Sequence, residues 1–243
     1  MLWYKAWRES RTRFLLSAVT IAGLCVLFVF IQSDARASMD SEPLTYVGYI
    51  WRIIYKGYLR ELFILLVLLL GVGGLLRERA NGTAGYTLAL PISRWRIVVA
   101  RAVTGVLEVA VLSLLPALVI PALSPVVHQS YPWSQALQFS LLWSVSGALI
   151  FSMGLLSSVV FGGEYSAPVV AFVVLLAYSA IGDLPFLDRF DIHDLMSGAG
   201  TPYFRSDASL ITGPLPWMPL AAILLVTLSM IGVAGRITQT QDF

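Results

Sequence analysis

The chain has 243 residues, 58% of them hydrophobic and 12% charged, with 16 Lys plus Arg against 14 Asp plus Glu for a net charge of +2. A soluble chain carries roughly 25% charged residues, so water is excluded as its main solvent, and no global field draws nucleic acid to it. A single cysteine, Cys25, excludes a disulfide framework and a Cys/His metal cluster.

The amino-terminal MLWYKAWRESRTR places Leu2, Trp3, Ala6, Trp7 and Ser10 on one helical face and Lys5, Arg8, Glu9 and Thr12 on the other. Residues 1–13 therefore read as an interfacial amphipathic helix with Trp at headgroup depth, or as a basic flank of the first span. Residues 14–31 carry no charge; at 1.5 Å per residue they extend about 27 Å, close to the hydrocarbon thickness. They form span one. Ala35-Arg36-Ala37 faintly echoes a cleavage site, but the length of the apolar run and the spans that follow favour a retained helix.

Arg52, Lys56 and Arg60 recur every four residues before span two, forming one cationic stripe on an amphipathic stretch. They either anchor to outer headgroups or bind an anionic portion of a substrate. Span two covers about 59–76. An elaborate loop follows over 77–96: Asn81-Gly82 breaks the preceding helix, Thr83 caps a short new one, Pro91 ends it, and Ser93 caps the next. Such a short helix suits the groove of a cytosolic partner.

Span three, about 97–123, contains Arg101 and Glu108. Glu108 reads as an acid deep in a span, where a carboxylate must be neutralised, paired or facing water. It is either a hydrogen-bonded packing residue or part of a translocation pathway that meets a cationic group. Span four, about 136–161, sets Ser140, Ser144, Ala148 and Ser152 four apart, the small-residue face of a close helix contact. Span five covers about 166–182, with Pro168 in its first turn. An outer loop over 183–214 reads as solvated and acidic, since Asp183, Asp188, Asp191 and Asp194 lack the spacing of a calcium loop. Span six covers about 215–235.

The fold expected is an all-α integral membrane protein with about six transmembrane helices, forming one transmembrane domain over 1–243. With the amino terminus inside, Lys5, Arg8, Arg11, Arg13, Arg77, Arg79, Arg94, Arg96, Arg101 and Arg236 lie on that side, ten of the 16 basic residues. A multi-pass protein of the cell membrane with both termini cytoplasmic follows. No paired histidines, H-E-x-x-H or serine with an evident base points to an intramembrane enzyme. A secondary transporter or channel would show charges in several spans and interrupted helices in matching halves.

Glu78, Gly82 and Thr83, then Leu90-Pro91-Ile92-Ser93-Arg94 and a basic start to span three, resemble the first intracellular loop of ABC-2 type transporter permeases. The interfacial helix, six spans, larger outer loop and the ending Gln241-Asp242-Phe243 are also similar to that family. The resemblance implies a non-catalytic half-sized permease of an exporter, pairing with a second copy or a paralogue. It also implies two copies of a separate ABC ATPase that hold the ATP and Mg, with no cofactor on this chain; membrane lipids are further partners and nucleic acid is none. The sequence has no G-x-x-x-x-G-K-[ST] phosphate loop, in line with this. In the family the short helix after span two couples to the ATPase. On that resemblance Glu78, Arg79, Gly82, Thr83, Leu90, Pro91 and Arg94 fall in the coupling segment.

Overall fold

The computed structural model describes residues 2–32, 45–72, 93–161, 166–182, 191–201, 203–205 and 209–240. Among these, helix α1 (Leu2–Phe30) is followed by α2 (Tyr46–Ile50), which runs into a π-helical turn (Trp51–Tyr55), and then by α3 (Tyr58–Gly71). Helices α4 (Arg94–Leu123), α5 (Trp133–Val160) and α6 (Ser166–Gly182) come next, and a 3-10 turn at Ser124–Val127 extends α4. A short α7 (Ile192–Ser197), a two-stranded ribbon of β1 (Phe204–Arg205) and β2 (Leu210–Ile211), and α8 (Trp217–Thr240) complete the chain.

Four of the described helices are long and apolar enough to cross a membrane: α1, α4 with its 3-10 extension, α5 and α8. Where spans two and five were expected, the described helices are shorter, with 14 residues in α3 and 17 in α6. The chain is an all-helical, multi-pass membrane protein.

Residues 2–30 form one unbroken helix, so the expected interfacial helix is the first turns of span one and not a separate element. No Gly or Pro occurs before Gly23, and nothing in the sequence interrupts the hydrogen-bond ladder there. The face expected to hold Leu2, Trp3, Ala6, Trp7 and Ser10 together is divided. Ala6, Glu9, Ser10 and Arg13 face a shared pocket, while Trp3 and Trp7 are exposed.

Helix α5 is the hub and packs against α3, α4, α6 and α8. Its most apolar stretch is 78% buried, against 22% for α1 and for α8, which present most of their surface outward. Small residues permit these contacts. A Cβ on Gly71 of α3 would lie 2.4 Å from the Phe151 carbonyl oxygen and 3.0 Å from the Cα of Gly154, so the two backbones touch at paired glycines. Along the expected small-residue face, Ser140, Ala148 and Ser152 are buried, and the Ser152 hydroxyl lies 3.4 Å from Met230 Sδ of α8. Packing accounts for that face.

Part of the outer loop, expected to be solvated, is a folded cap. Asp191 caps α7 through a 2.8 Å bond from the His193 amide, and Gly198 ends the helix at φ 78°, a left-handed conformation suited to glycine. Trp51 Nε1 donates to the Ser197 carbonyl at 2.8 Å, and the fully buried Trp143 donates to that of Met196 at 3.1 Å. Gln135 brackets the ribbon: its Nε2 donates to the Ile211 carbonyl at 2.7 Å and its Oε1 accepts from the Ile211 amide at 3.0 Å. Ile192, Leu195, Met196 and Ile211 are buried beneath the cap.

Candidate functional site

Arg13, Arg94, Arg96 and Arg101 gather at the end of the bundle opposite the cap. Arg236 lies there too, because a Cβ on its neighbour Gly235 would meet the ring of Trp95 beside Arg94. At this basic end α1 and α4 are joined by a hydrogen bond from the Ser10 hydroxyl to Glu108 Oε1. Glu108 is 4% exposed, and its other oxygen, Oε2, is buried with no hydrogen-bond partner among the described residues. Around it lies a cavity of about 20 Å³, lined by Glu9, Ser10 and Arg13 of α1 and by Arg101, Thr104 and Gly105 of α4. Leu70 of α3 and Phe151 of α5 close it on the apolar side.

Two further contacts join elements at the other end of the same helices. At the far end of α1 and α4, Tyr49 donates to the Phe28 carbonyl at 3.1 Å, and one turn away Tyr46 bonds the Ser124 hydroxyl at 2.8 Å. Ser10 and Phe28 are separated by about 27 Å along α1, and Glu108 and Ser124 by about 24 Å along α4. Both lengths approach the ~30 Å of a hydrocarbon core. Glu108 is thus held level with Ser10 of α1, four positions before the uncharged run of that helix begins at Phe14. Helix α4 begins at Arg94, about 21 Å along the axis before Glu108.

The bonds of Ser10 and Arg13 draw three helices together at this level. Arg13 Nη1 donates to the Leu69 carbonyl of α3 at 3.2 Å. Thr104 donates to the Ala100 carbonyl at 2.8 Å and keeps its lone pairs for another donor. A Cβ on Gly105 would lie 2.0 Å from the Phe151 ring, so glycine is what lets α5 approach beside Glu108.

The cationic stripe expected before α3 is divided. The π turn at Trp51–Tyr55 and the backbone break at Gly57 shift the register, so the period of four no longer places the three residues in line. Exposed Lys56 lies 5.2 Å from the Trp51 ring centroid, and Arg52 is also exposed. Arg60 instead ties the cap to α3, donating to the His193 carbonyl at 2.9 Å and to Glu61 Oε1 at 2.6 Å.

Of the coupling segment, Glu78, Arg79, Gly82, Thr83, Leu90 and Pro91 lie outside the described residues. Arg94 opens α4. Ser93 occupies the N-cap position, but its side chain makes no capping bond there. The contact that sequence reasoning missed is Ser10 with Glu108; its one signal was a serine on the apolar side of an amphipathic segment.

Residues 14–185 match a family model described as ABC-2 family transporter protein. The chain belongs to the ABC-2 transporter family. No curated protein sequence matches it. The family's members are membrane subunits of ABC transporters that in general work with an ABC ATPase, which makes this chain an ABC transporter permease. The matched region takes in the upper part of α1, all of α3 to α6 and the described part of the pocket on α4.

Proposed function

We propose that the chain is the membrane-spanning subunit of an ABC exporter, driven by two copies of a separate ATPase and paired with a second permease, identical or paralogous. The carrying observation is the family match over residues 14–185 in a sequence with no phosphate loop. ATP and Mg then belong to the partner. The basic end is the cytoplasmic side, where the excess of Arg obeys the orientation rule, and both termini lie there. Closure of the ATPase pair pushes on the coupling segment of Glu78, Arg79, Gly82, Thr83, Leu90, Pro91 and Arg94, and α4 carries the thrust into the bundle. Alternating access follows as a rigid-body switch between two packed arrangements. Glu108 stands at the inner mouth of the pathway, and Arg52 and Lys56 meet outer headgroups.

Reversing both charges, Glu78→Lys with Arg79→Glu, tests the coupling. Loss of paired interface charges should reduce co-purification of the ATPase and permease-stimulated hydrolysis by roughly tenfold or more. Undiminished co-purification and stimulation would remove this segment from the interface.

A further inference from the structure

We propose that Trp95, seated on the backbone of α8 at Gly235, is the positioning residue that passes displacement of the coupling segment on to α8. The inference rests on the proposed coupling segment of Glu78 to Arg94 and names the path that its thrust takes into the bundle. Its starting point is a contact of shape. A Cβ on Gly235 would overlap the indole of Trp95 at Cζ3 and Cε3 and lie 3.0 Å from Cη2. The ring therefore rests directly on the helix backbone, and any side chain at 235 would displace it.

Both helices are built locally for this contact. Ser93 stands at the N-cap position of α4 without a side-chain bond, and the first turn carries Trp95, 38% exposed, onto a glycine that is buried. On α8 the receiving surface includes Ala234, Gly235 and Thr238, all buried and all small. The Thr238 hydroxyl is turned to its own helix, donating to the Ala234 carbonyl at 2.8 Å, so what holds Trp95 on Gly235 is shape. Gly232, three positions earlier, has open space where a Cβ would stand. Packing thus requires a glycine at 235 and not at 232.

The position of the joint decides what it can carry. Trp95 directly follows Arg94, the last residue of the coupling segment, whereas the bond of Glu108 to Ser10 of α1 lies about 20 Å further along α4. Displacement that enters at Arg94 is therefore felt by α8 before it reaches that bond. Close-packed contacts have low compressibility and transmit strain, and packed interfaces switch between discrete arrangements instead of deforming continuously. Elsewhere α8 is lightly held: its most apolar stretch is 22% buried, against 78% for the hub α5, and it meets α5 at Met230 Sδ, 3.4 Å from the Ser152 hydroxyl. A helix held in this way can follow α4 while α5 stays in place.

The test uses the full chain assembled with its ATPase and reads three quantities: thermal unfolding of the permease, co-purification of the ATPase and permease-stimulated hydrolysis. Gly235→Ala should displace the ring and cut stimulated hydrolysis roughly tenfold while the ATPase still co-purifies. Trp95→Ala should do the same, and Trp95→Phe should keep part of the stimulation. Gly232→Ala, whose methyl group meets open space, should change none of the three. Trp95→Leu in the Gly235→Ala background makes room for the new methyl group and should restore stimulation, a recovery that two independent lesions would not show. Should Gly235→Ala fail to fold, Trp95→Ala and Trp95→Phe carry the same comparison. Undiminished stimulation in a folded Gly235→Ala or Trp95→Ala chain, or a loss that only tracks loss of co-purification, overturns the joint and leaves the coupling segment standing. Undiminished co-purification and stimulation in the Glu78→Lys, Arg79→Glu chain removes the coupling segment, and the joint with it.

Discussion

Ser10 and Glu108 show how one polar pair can set the relation of two helices. The Ser10 hydroxyl has a single proton, and within its reach are Glu108 Oε1 and the Ala6 carbonyl at 3.1 Å. Ser10→Ala removes the one polar contact made by Oε1 in the described structure. A hydrogen bond to a buried charged group contributes about 1.5–3 kcal/mol, so Ser10→Ala should lower stability by about that amount in thermal unfolding of the detergent-solubilised chain. In a Glu108→Leu background the same change should cost almost nothing, and equal costs in both backgrounds would show that the two residues are uncoupled. The sequence revealed that Glu108 needs a partner, because an acid beside a long apolar run demands one. It did not reveal which, since Ser10 lies 98 positions away and periodicity along one helix says nothing of its neighbour.

Elements were legible in proportion to how far local chemistry decides them. Uncharged runs located α1, α4, α5 and α8, because length and apolarity alone define a membrane-crossing helix. The glycine and serine pattern of span four identified a close-packing face, and α5 buries it. Less legible were features set by tertiary contact: the π turn that divides Arg52, Lys56 and Arg60, and the cap that covers α3 and α5. The acids of that loop looked solvated in sequence, yet Asp191 is a helix cap and the apolar Ile192, Leu195 and Met196 of α7 are buried. Gln135 tests the cap as an element. Gln135→Ala deletes both of its bonds to Ile211, about 1–2 kcal/mol together, and should speed amide exchange at Phe204, Arg205 and Ile211 by roughly tenfold. The helix amides of α5 should keep their protection. Unchanged exchange in the ribbon would mean that packing alone holds it.

For the whole molecule, the decisive quantity is where the membrane lies along α4. Two placements compete. The span read from sequence, 97–123, is centred on Ala110 and puts Glu108 near mid-membrane; the contacts at both ends of α1 and α4 put the slab between Glu108 and Ser124, centred on Pro116. The difference is about 9 Å along the axis, large enough to measure. Val103, Leu107, Val111, Leu114 and Leu118 are exposed on the outward side of α4 and can carry a spin label one at a time in a Cys25→Ser background. In bilayers, accessibility to oxygen relative to a water-soluble nickel chelate rises toward the membrane centre. With the slab between Glu108 and Ser124, this ratio should peak between Leu114 and Leu118, fall at Leu107 and be lowest at Val103. A peak at Val111 would return Glu108 to the interior of the span, and with it the full cost of an intramembrane carboxylate. A peak near Pro116 leaves Glu108 at headgroup depth, with the first turns of α4 projecting toward the loop where an ATPase would push.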